Sequence, residues 1–305
     1  MVGLCKFLGN SATNVESSIR NSLKLIGNPF LSPVQMTIPF TKMHGAGNDF
    51  VVIDNLDGSY DLTTEQIAYL CDRRFGVGAD GLLLLEKGPS DDLDAQMVYY
   101  NADGSRAEMC GNGARCFISF ALAHKLGLDG RLKFRTDAGD MEGIAENGNI
   151  TVQMTPALDT QLSLRVNLNN GPATVHYTDT GVPHVVKFVD DITSVDIKPE
   201  GSELRFHDAF QPKGANVNFA QLEGDQILVR TYERGVEDET LACGTGVTAV
   251  AILSHLVSGV EKPVRLKVAG GDILGVNFRV EGDSIDQVTL TGPAKVVYTG
   301  TVEVE

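Results

Sequence analysis

No stretch of the 305-residue chain approaches the roughly 20 consecutive apolar residues that a membrane-spanning helix needs. The two longest candidates, 117–126 and 247–257, are too short and carry polar interruptions. Positive charge is scarce as well: 25 Lys and Arg stand against 40 Asp and Glu, a net charge of −15. A nucleic-acid surface would require basic residues clustered on one face, so that class of partner is excluded. No block of like charges marks a tail. Cysteine is sparse, with five residues at Cys5, Cys71, Cys110, Cys116 and Cys243. A disulfide scaffold would be shorter and denser in Cys, and no Cys-x-x-Cys or His-x-x-x-His spacing suggests zinc. Free thiols in a reducing compartment are expected, and with them a cytoplasmic location.

Familiar catalytic strings are missing too. There is no Gly-x-Ser-x-Gly elbow, no phosphate loop ending in Gly-Lys-Ser/Thr and no His-Glu-x-x-His. Gly76-Val77-Gly78-Ala79-Asp80-Gly81 matches a dinucleotide-binding string. Its context is wrong, because a helix-like segment precedes it and the strand-like Leu82–Leu85 follows.

What is present is an ordinary globular composition, 42% hydrophobic and 21% charged. Residues 1–35 stand apart. They are rich in serine, carry Lys6, Arg20 and Lys24 against one acid, Glu16, and lack the apolar core of a secretory signal. An inert extension, a transit peptide such as plastid targeting requires, and sequence upstream of a start at Met36 are the alternatives for them.

Ordered structure is expected from about Ile38. Thr37–Met43 and Asp49–Asp54 read as strands around the glycine loop 44–48. Thr63 and Gln66 have the spacing of a capping box at a helix start. Leu82–Glu86 and Ala95–Tyr100 read as strands, and Asn101-Ala102-Asp103-Gly104 as a turn. A helix over 117–126 is expected to stop at Gly127. Beyond it lie a strand at Arg131–Thr136 and a hairpin within 141–154 turned by Asn147-Gly148. The second half repeats the theme, with strands at 174–177, 185–189, 216–220 and 226–232, a helix over 247–257 ending near Gly259, and strands at 265–268, 273–280 and 287–291. Both central helices are apolar nearly all round and must be buried on most sides. The expected fold is therefore α+β, with two pseudo-symmetric domains, each a mostly antiparallel or mixed sheet curled round a central helix. The expected division is 36–155 plus 292–305 for the first domain and 156–291 for the second.

Each central helix is preceded by the same phrase, Cys110-Gly111-Asn112-Gly113-Ala114 in one half and Cys243-Gly244-Thr245-Gly246-Val247 in the other. A cysteine at a helix N-terminus faces unpaired N–H groups and partial positive charge. Both favour a thiolate, so a lowered pKa is expected. The glycines let backbone N–H groups approach an anion closely. Two such thiols suit proton removal from one face of a carbon and proton return to the other, with inversion as the outcome. Charge building on a carboxylate held between the helix ends would be stabilised by those donors. Cys71 and Cys116 read as small buried hydrophobes. No signal for pyridoxal phosphate is found, and no cofactor or metal is expected.

Several long segments resemble the diaminopimelate epimerase family. They are Thr41–Phe50 (TKMHGAGNDF), Asn101–Ser105 (NADGS), Cys110–Cys116 (CGNGARC), Pro183-His184, and Tyr232–Gly235 (YERG) through Ala242–Gly246 (ACGTG). The likeness runs over 38–305. It implies cofactor-independent interconversion of LL- and meso-diaminopimelate in lysine and peptidoglycan precursor synthesis, by a homodimer. By the same resemblance Cys110 and Cys243 are the acid/base thiols, and Gly111, Asn112, Gly244 and Thr245 hold the carboxylate at the reacting centre. Asn48, Asn101, Asn216, Glu233 and Arg234 hold the distal amino-acid end, and His184 and Glu233 orient or tune the reacting centre. Those types suit a zwitterion: Arg234 is a fork for a carboxylate, Glu233 can pair with an ammonium, and asparagine both donates and accepts. The family often has Asn before Pro-His, where this chain has Val182, and some members have Gln where this chain has Gly81. A related two-cysteine racemase for histidine or a proline-type substrate, and a non-catalytic binding protein of the same fold, are the alternatives.

Overall fold

Strand β1 (Met36–Gly45) and strand β2 (Asn48–Asp54) open the described chain as an antiparallel hairpin. Ala46 and Gly47 turn it at φ 58° and 92°, as a two-residue primed turn requires. The computed structural model describes residues 36–305, and the expected extension 1–35 lies outside the described residues. Helix α1 (Thr64–Cys71) starts at Thr63 with both halves of the expected capping box formed. Strands β3 (Gly81–Lys87), β4 (Ala95–Asn101) and the short β5 (Arg106–Ala107) lead into helix α2 (Gly111–Ala123). Strands β6 (Arg131–Thr136), β7 (Gly139–Glu146) and β8 (Asn149–Gln153) follow. Asn147 and Gly148, at φ 51° and 78°, make the expected hairpin turn.

The second half runs through β9 (Leu158–Leu168), β10 (Gly171–Asp179), β11 (Pro183–Phe188), helix α3 (Ile197–Arg205), β12 (Asn216–Glu223), β13 (Gln226–Glu233) and β14 (Asp238–Thr240). Helix α4 (Gly244–Ser258), β15 (Val264–Val268), β16 (Ile273–Glu281), β17 (Ser284–Gly292) and β18 (Lys295–Val304) complete it. Residues 39–302 form one compact unit, and 36–38 and 303–305 fall outside it.

The pairing pattern shows the duplication. In the first half the order β1-β2-β3-β4-β6-β7-β8 alternates antiparallel, parallel, antiparallel, parallel, antiparallel, antiparallel. The order β10-β11-β12-β13-β15-β16-β17 repeats that series step for step. Each β4–β6 or β13–β15 crossover contains a short strand and then a cysteine helix. Antiparallel pairing of β8 with β17 joins the two series. Helix α2 packs against β2, β3, β4, β6, β7 and β8, and α4 against β10, β11, β12, β13, β15 and β16. The fold is thus α+β, two pseudo-symmetric lobes with a mixed sheet curled round a central helix in each. Their apolar helices bury Phe117, Ile118 and Ala121 in one lobe and Val247, Val250, Ala251 and Leu253 in the other, where burial of each large side chain contributes about 1.5–3 kcal/mol. Among the described residues no helix is long and apolar enough to cross a membrane.

Three local expectations are corrected. Helix α2 begins at Gly111 and ends at Ala123, so it does not run to Leu126 with Gly127 as its cap. Lys125 takes the left-handed position at φ 64°, the Leu126 N–H reaches the Ala121 carbonyl, and the Lys125 N–H reaches Leu122. That is a Schellman closure one turn early. Strand β9 was not expected, because its side chains are largely exposed and carry no clean alternation. Helix α3 was hidden by Pro199 and Gly201. The proline sits in the first turn, where no N–H is needed, and a Cβ on Gly201 would lie 2.5 Å from the Tyr232 side chain.

Candidate active site

Cys110 is the N-cap of α2 and Cys243 the N-cap of α4, both with extended backbone (φ −140° and −113°). The first helical bonds run from Ala114 to the Cys110 carbonyl (2.7 Å) and from Val247 to the Cys243 carbonyl (2.9 Å). The N–H groups of 111–113 and 244–246 therefore have no partner within their helices. The two helix starts meet across Leu290. A Cβ on Gly111 would stand 3.3 Å from Leu290 Cδ2, and one on Gly244 would stand 3.1 Å from the same atom and 3.7 Å from Gly111 Cα. A side chain at either glycine would crowd Leu290, so glycine keeps this junction tight.

Both thiols line one cavity of about 690 Å³, a size suited to a small molecule. Of the residues expected at the site, Asn48, Asn101, Gly111, Asn112, Asn216, Glu233, Arg234, Gly244 and Thr245 line the same cavity, and Val182 does too. His184 is fully buried and does not line it. The Asn218 carboxamide faces His184 Nδ1 at 3.1 Å while donating to the Val185 carbonyl and accepting from the Thr231 hydroxyl. This assigns Nδ2 of Asn218 as the donor, so the imidazole proton sits on Nε2, which has no partner in the structure. Burial, then the Arg234 charge, holds the His184 pKa down at about 3.

The thiol pKa values reverse the expectation. Burial pushes Cys243 up to about 12 and raises Cys110 as well. Backbone N–H groups of Asn112 and Gly113 pull Cys110 back, and the Thr245 hydroxyl and the Gly246 N–H pull Cys243 back, but burial is the larger effect. Loss of water around a thiolate outweighs the helix end. The nearby Glu233 carboxylate raises both thiols further. Burial also raises the carboxyl of Glu233 itself.

Asn112 is not free to use its side chain on a ligand as readily as its position suggests. Its Nδ2 donates to the Ala242 carbonyl (3.0 Å) and to Asn48 Oδ1 (3.2 Å), and its Oδ1 accepts from Arg115 (2.8 Å). Its backbone N–H has no partner within the helix and acts on the Cys110 sulfur. Asn48 Oδ1 also lies 3.5 Å from Cys110 Sγ, and its Nδ2 donates to Asp80 (2.8 Å). Asn216 accepts from the Arg234 N–H (2.7 Å) and so fixes the strand end that carries Arg234.

Sequence reasoning overlooked Arg73, Asp80 and Tyr99 in the cavity wall. Arg73 grips Asp49 with both nitrogens and Asp80 with one, while Lys42 pairs with Asp49 at 2.7 Å and bonds the Gly78 carbonyl. Asp80 belongs to the glycine string 76–81. Gly81 is explained by its neighbours: a Cβ there would lie 2.6 Å from the Tyr100 carbonyl oxygen and 2.8 Å from the Tyr99 ring. The Tyr99 hydroxyl donates to Asn101 Oδ1 at 3.1 Å. Among the described residues no group of His, Cys, Asp or Glu gathers as a metal site.

Comparison with known proteins agrees with this geometry. The family model described as diaminopimelate epimerase matches residues 40–158 and 176–297. The chain is 43% identical over 266 residues to the diaminopimelate epimerase of Chlorobaculum tepidum, covering 85% of this chain and 99% of that one. It is 40% identical over 278 residues to that of Aquifex aeolicus, covering 87% and 98%. Among solved structures, a phenazine biosynthesis protein of the PhzF family from Bacillus anthracis superposes with a TM-score of 0.68 at 18% identity, covering 88% of this chain and 99% of that one. A hydroxyproline epimerase from Agrobacterium vitis gives 0.63 at 16% identity, covering 88% and 92%. These distant structures share the fold. The chain belongs to the diaminopimelate epimerase family.

Proposed function

From that family membership and from the paired thiols, we propose that the chain is a cofactor-independent epimerase. It interconverts LL- and meso-2,6-diaminopimelate by proton transfer at one α-carbon, in lysine and peptidoglycan precursor synthesis. The observation that carries the reading is that Cys110 and Cys243 cap two helices whose first residues meet at one cavity.

The substrate α-carboxylate lies on the N–H groups of Gly111, Asn112, Gly244 and Thr245. One sulfur, as thiolate, takes the α-proton, and the opposite thiol gives its proton to the other face. The carbon inverts, and the thiolate and thiol have exchanged roles. Both sulfurs are held protonated by burial, so one proton must leave the pair before the first transfer. Glu233, whose carboxylate acts on both thiols, is itself raised by burial. Electron density moving onto the carboxylate meets two helix ends already oriented to receive it. Asn48, Asn101, Asn216, Glu233 and Arg234 take the distal amino-acid end. Lobes dividing at 36–155 plus 292–305 and 156–291 would each supply one thiol. A cytoplasmic homodimer is the form in which we expect the enzyme to act.

The test is turnover in D2O. Purified protein given LL-diaminopimelate should form the meso isomer and place one deuterium at the inverted α-carbon. Turnover of histidine or proline with none of diaminopimelate would reject the reading in favour of a related racemase. Absence of deuterium exchange with any of the three would leave a binding protein.

A further inference from the structure

Arg115 lies in the second turn of α2, and its side chain is completely buried. Its Nη2 donates to Asn112 Oδ1 (2.8 Å), its Nη1 to the Gly111 carbonyl (3.2 Å), and its Nε reaches the Pro293 carbonyl (3.5 Å). All three partners are neutral oxygens. The space for the guanidinium is left by two glycines: a Cβ on Gly45 would lie 3.2 Å from Nη2, and one on Gly292 would lie 3.3 Å from Nε. Burying a cation against neutral groups is expensive, so packing alone does not call for this side chain.

The position of Asn112 does. A guanidinium can only donate, so Arg115 forces Oδ1 of Asn112 toward itself and Nδ2 the other way. That Nδ2 donates to the carbonyl of Ala242, the residue before Cys243, and to Asn48 Oδ1, the oxygen beside Cys110 Sγ. With the carboxamide turned over, Oδ1 would face two acceptors and both contacts would repel. The buried guanidinium on one side and the two acceptors on the other together hold the amide orientation that ties the Cys110 loop to the Cys243 loop.

We propose that Arg115 is a positioning residue of the reaction, acting through Asn112 to hold the two thiols in register on either side of the shared cavity. This rests on the two-thiol epimerase reading, and the experiment separates the two. Arg115→Met and Arg115→Lys are compared with wild type in diaminopimelate turnover, thermal melting and cross-linking by dibromobimane, which fluoresces strongly only after joining two neighbouring thiols. Methionine fills the volume without donors, and lysine keeps the charge without the fork. The Met variant should melt somewhat lower than wild type, because buried oxygens lose their donor, yet stay folded while kcat falls about a hundredfold, the cost of a misplacement near 1 Å. KM should stay within about threefold, and the yield of cross-linked relative to singly labelled protein should drop several-fold. Lysine should lose about tenfold in kcat, since its ammonium can keep only some of the three contacts. Adding Asn112→Ala to Arg115→Met should cost nothing further, as two steps of one path are not additive.

Wild-type kcat and cross-linking in either folded variant would overturn the proposal. Failure of both variants to fold would overturn it as well, because Arg115 would then serve the fold. Failure of wild type to turn over diaminopimelate would instead remove the functional reading, while the cross-linking comparison would still report on the thiol register.

Discussion

Gly111 and Gly244, the first residues of the two cysteine helices, are separated by 133 positions in sequence, yet a Cβ on Gly244 would lie 3.7 Å from Gly111 Cα. The positive ends of two helices are thereby brought to one point, with a thiol on the residue before each. Neither lobe alone contains this arrangement.

Replacing either thiol by a hydroxyl should stop inversion. Cys110→Ser and Cys243→Ser are each expected to reduce epimerisation by at least about a thousandfold, within the range assigned to a positioned acid or base. Melting temperature should change little. Chiral chromatography of the products decides it, and a variant that keeps even a tenth of wild-type turnover would exclude a two-thiol mechanism.

Alkylation should reveal the raised thiol pKa. In the absence of substrate, iodoacetamide labelling of Cys243 should be slow at neutral pH and keep rising toward about pH 12, following burial of the sulfur. Peptide mapping of labelled protein across pH gives the profile. A plateau near pH 7 would mean that the helix end prevails over burial after all.

Tyr99→Phe should affect binding more than chemistry. The hydroxyl holds Asn101 Oδ1 at 3.1 Å while Asn101 Nδ2 donates to Ser105. Loss of one such bond corresponds to about a two- to tenfold rise in KM, with kcat within about twofold. Steady-state kinetics on diaminopimelate measure both, and an unchanged KM would remove Tyr99 from the distal site.

His184 should make the fold acid-sensitive. Its pKa lies at about 3 in the fold against an ordinary 6.5, so the unfolded chain binds a proton first as pH drops. The stability it lends is complete above pH 6.5 and is lost as pH falls toward 3. Between pH 6.5 and about pH 4.5, wild type should lose about 2–3 kcal/mol more than His184→Gln in urea unfolding. Equal losses in the two proteins would mean that the His184 pKa is not depressed in the fold.

The amino-acid sequence by itself determined the local structure and the identity of the chemistry. The capping box at Thr63, the Asn147-Gly148 turn, the left-handed glycine closing α4 at Gly259 and the repeated cysteine phrases depend on neighbours a few residues away, so they are legible in a short window. The end of α2 at Ala123 and the existence of β9 and α3 were less so, because they depend on how exposed or crowded each segment is in the fold. Only the tertiary structure decided that the thiols are raised, that the Asn112 carboxamide is committed to Arg115 and Ala242, that Tyr99 fills the space at Gly81, and that His184 lies behind the cavity. Burial and hydrogen-bond competition are sums over atoms distant in sequence. A helix end predicts a lower thiol pKa, but the desolvation that reverses it comes from residues distant in sequence that bury the sulfur.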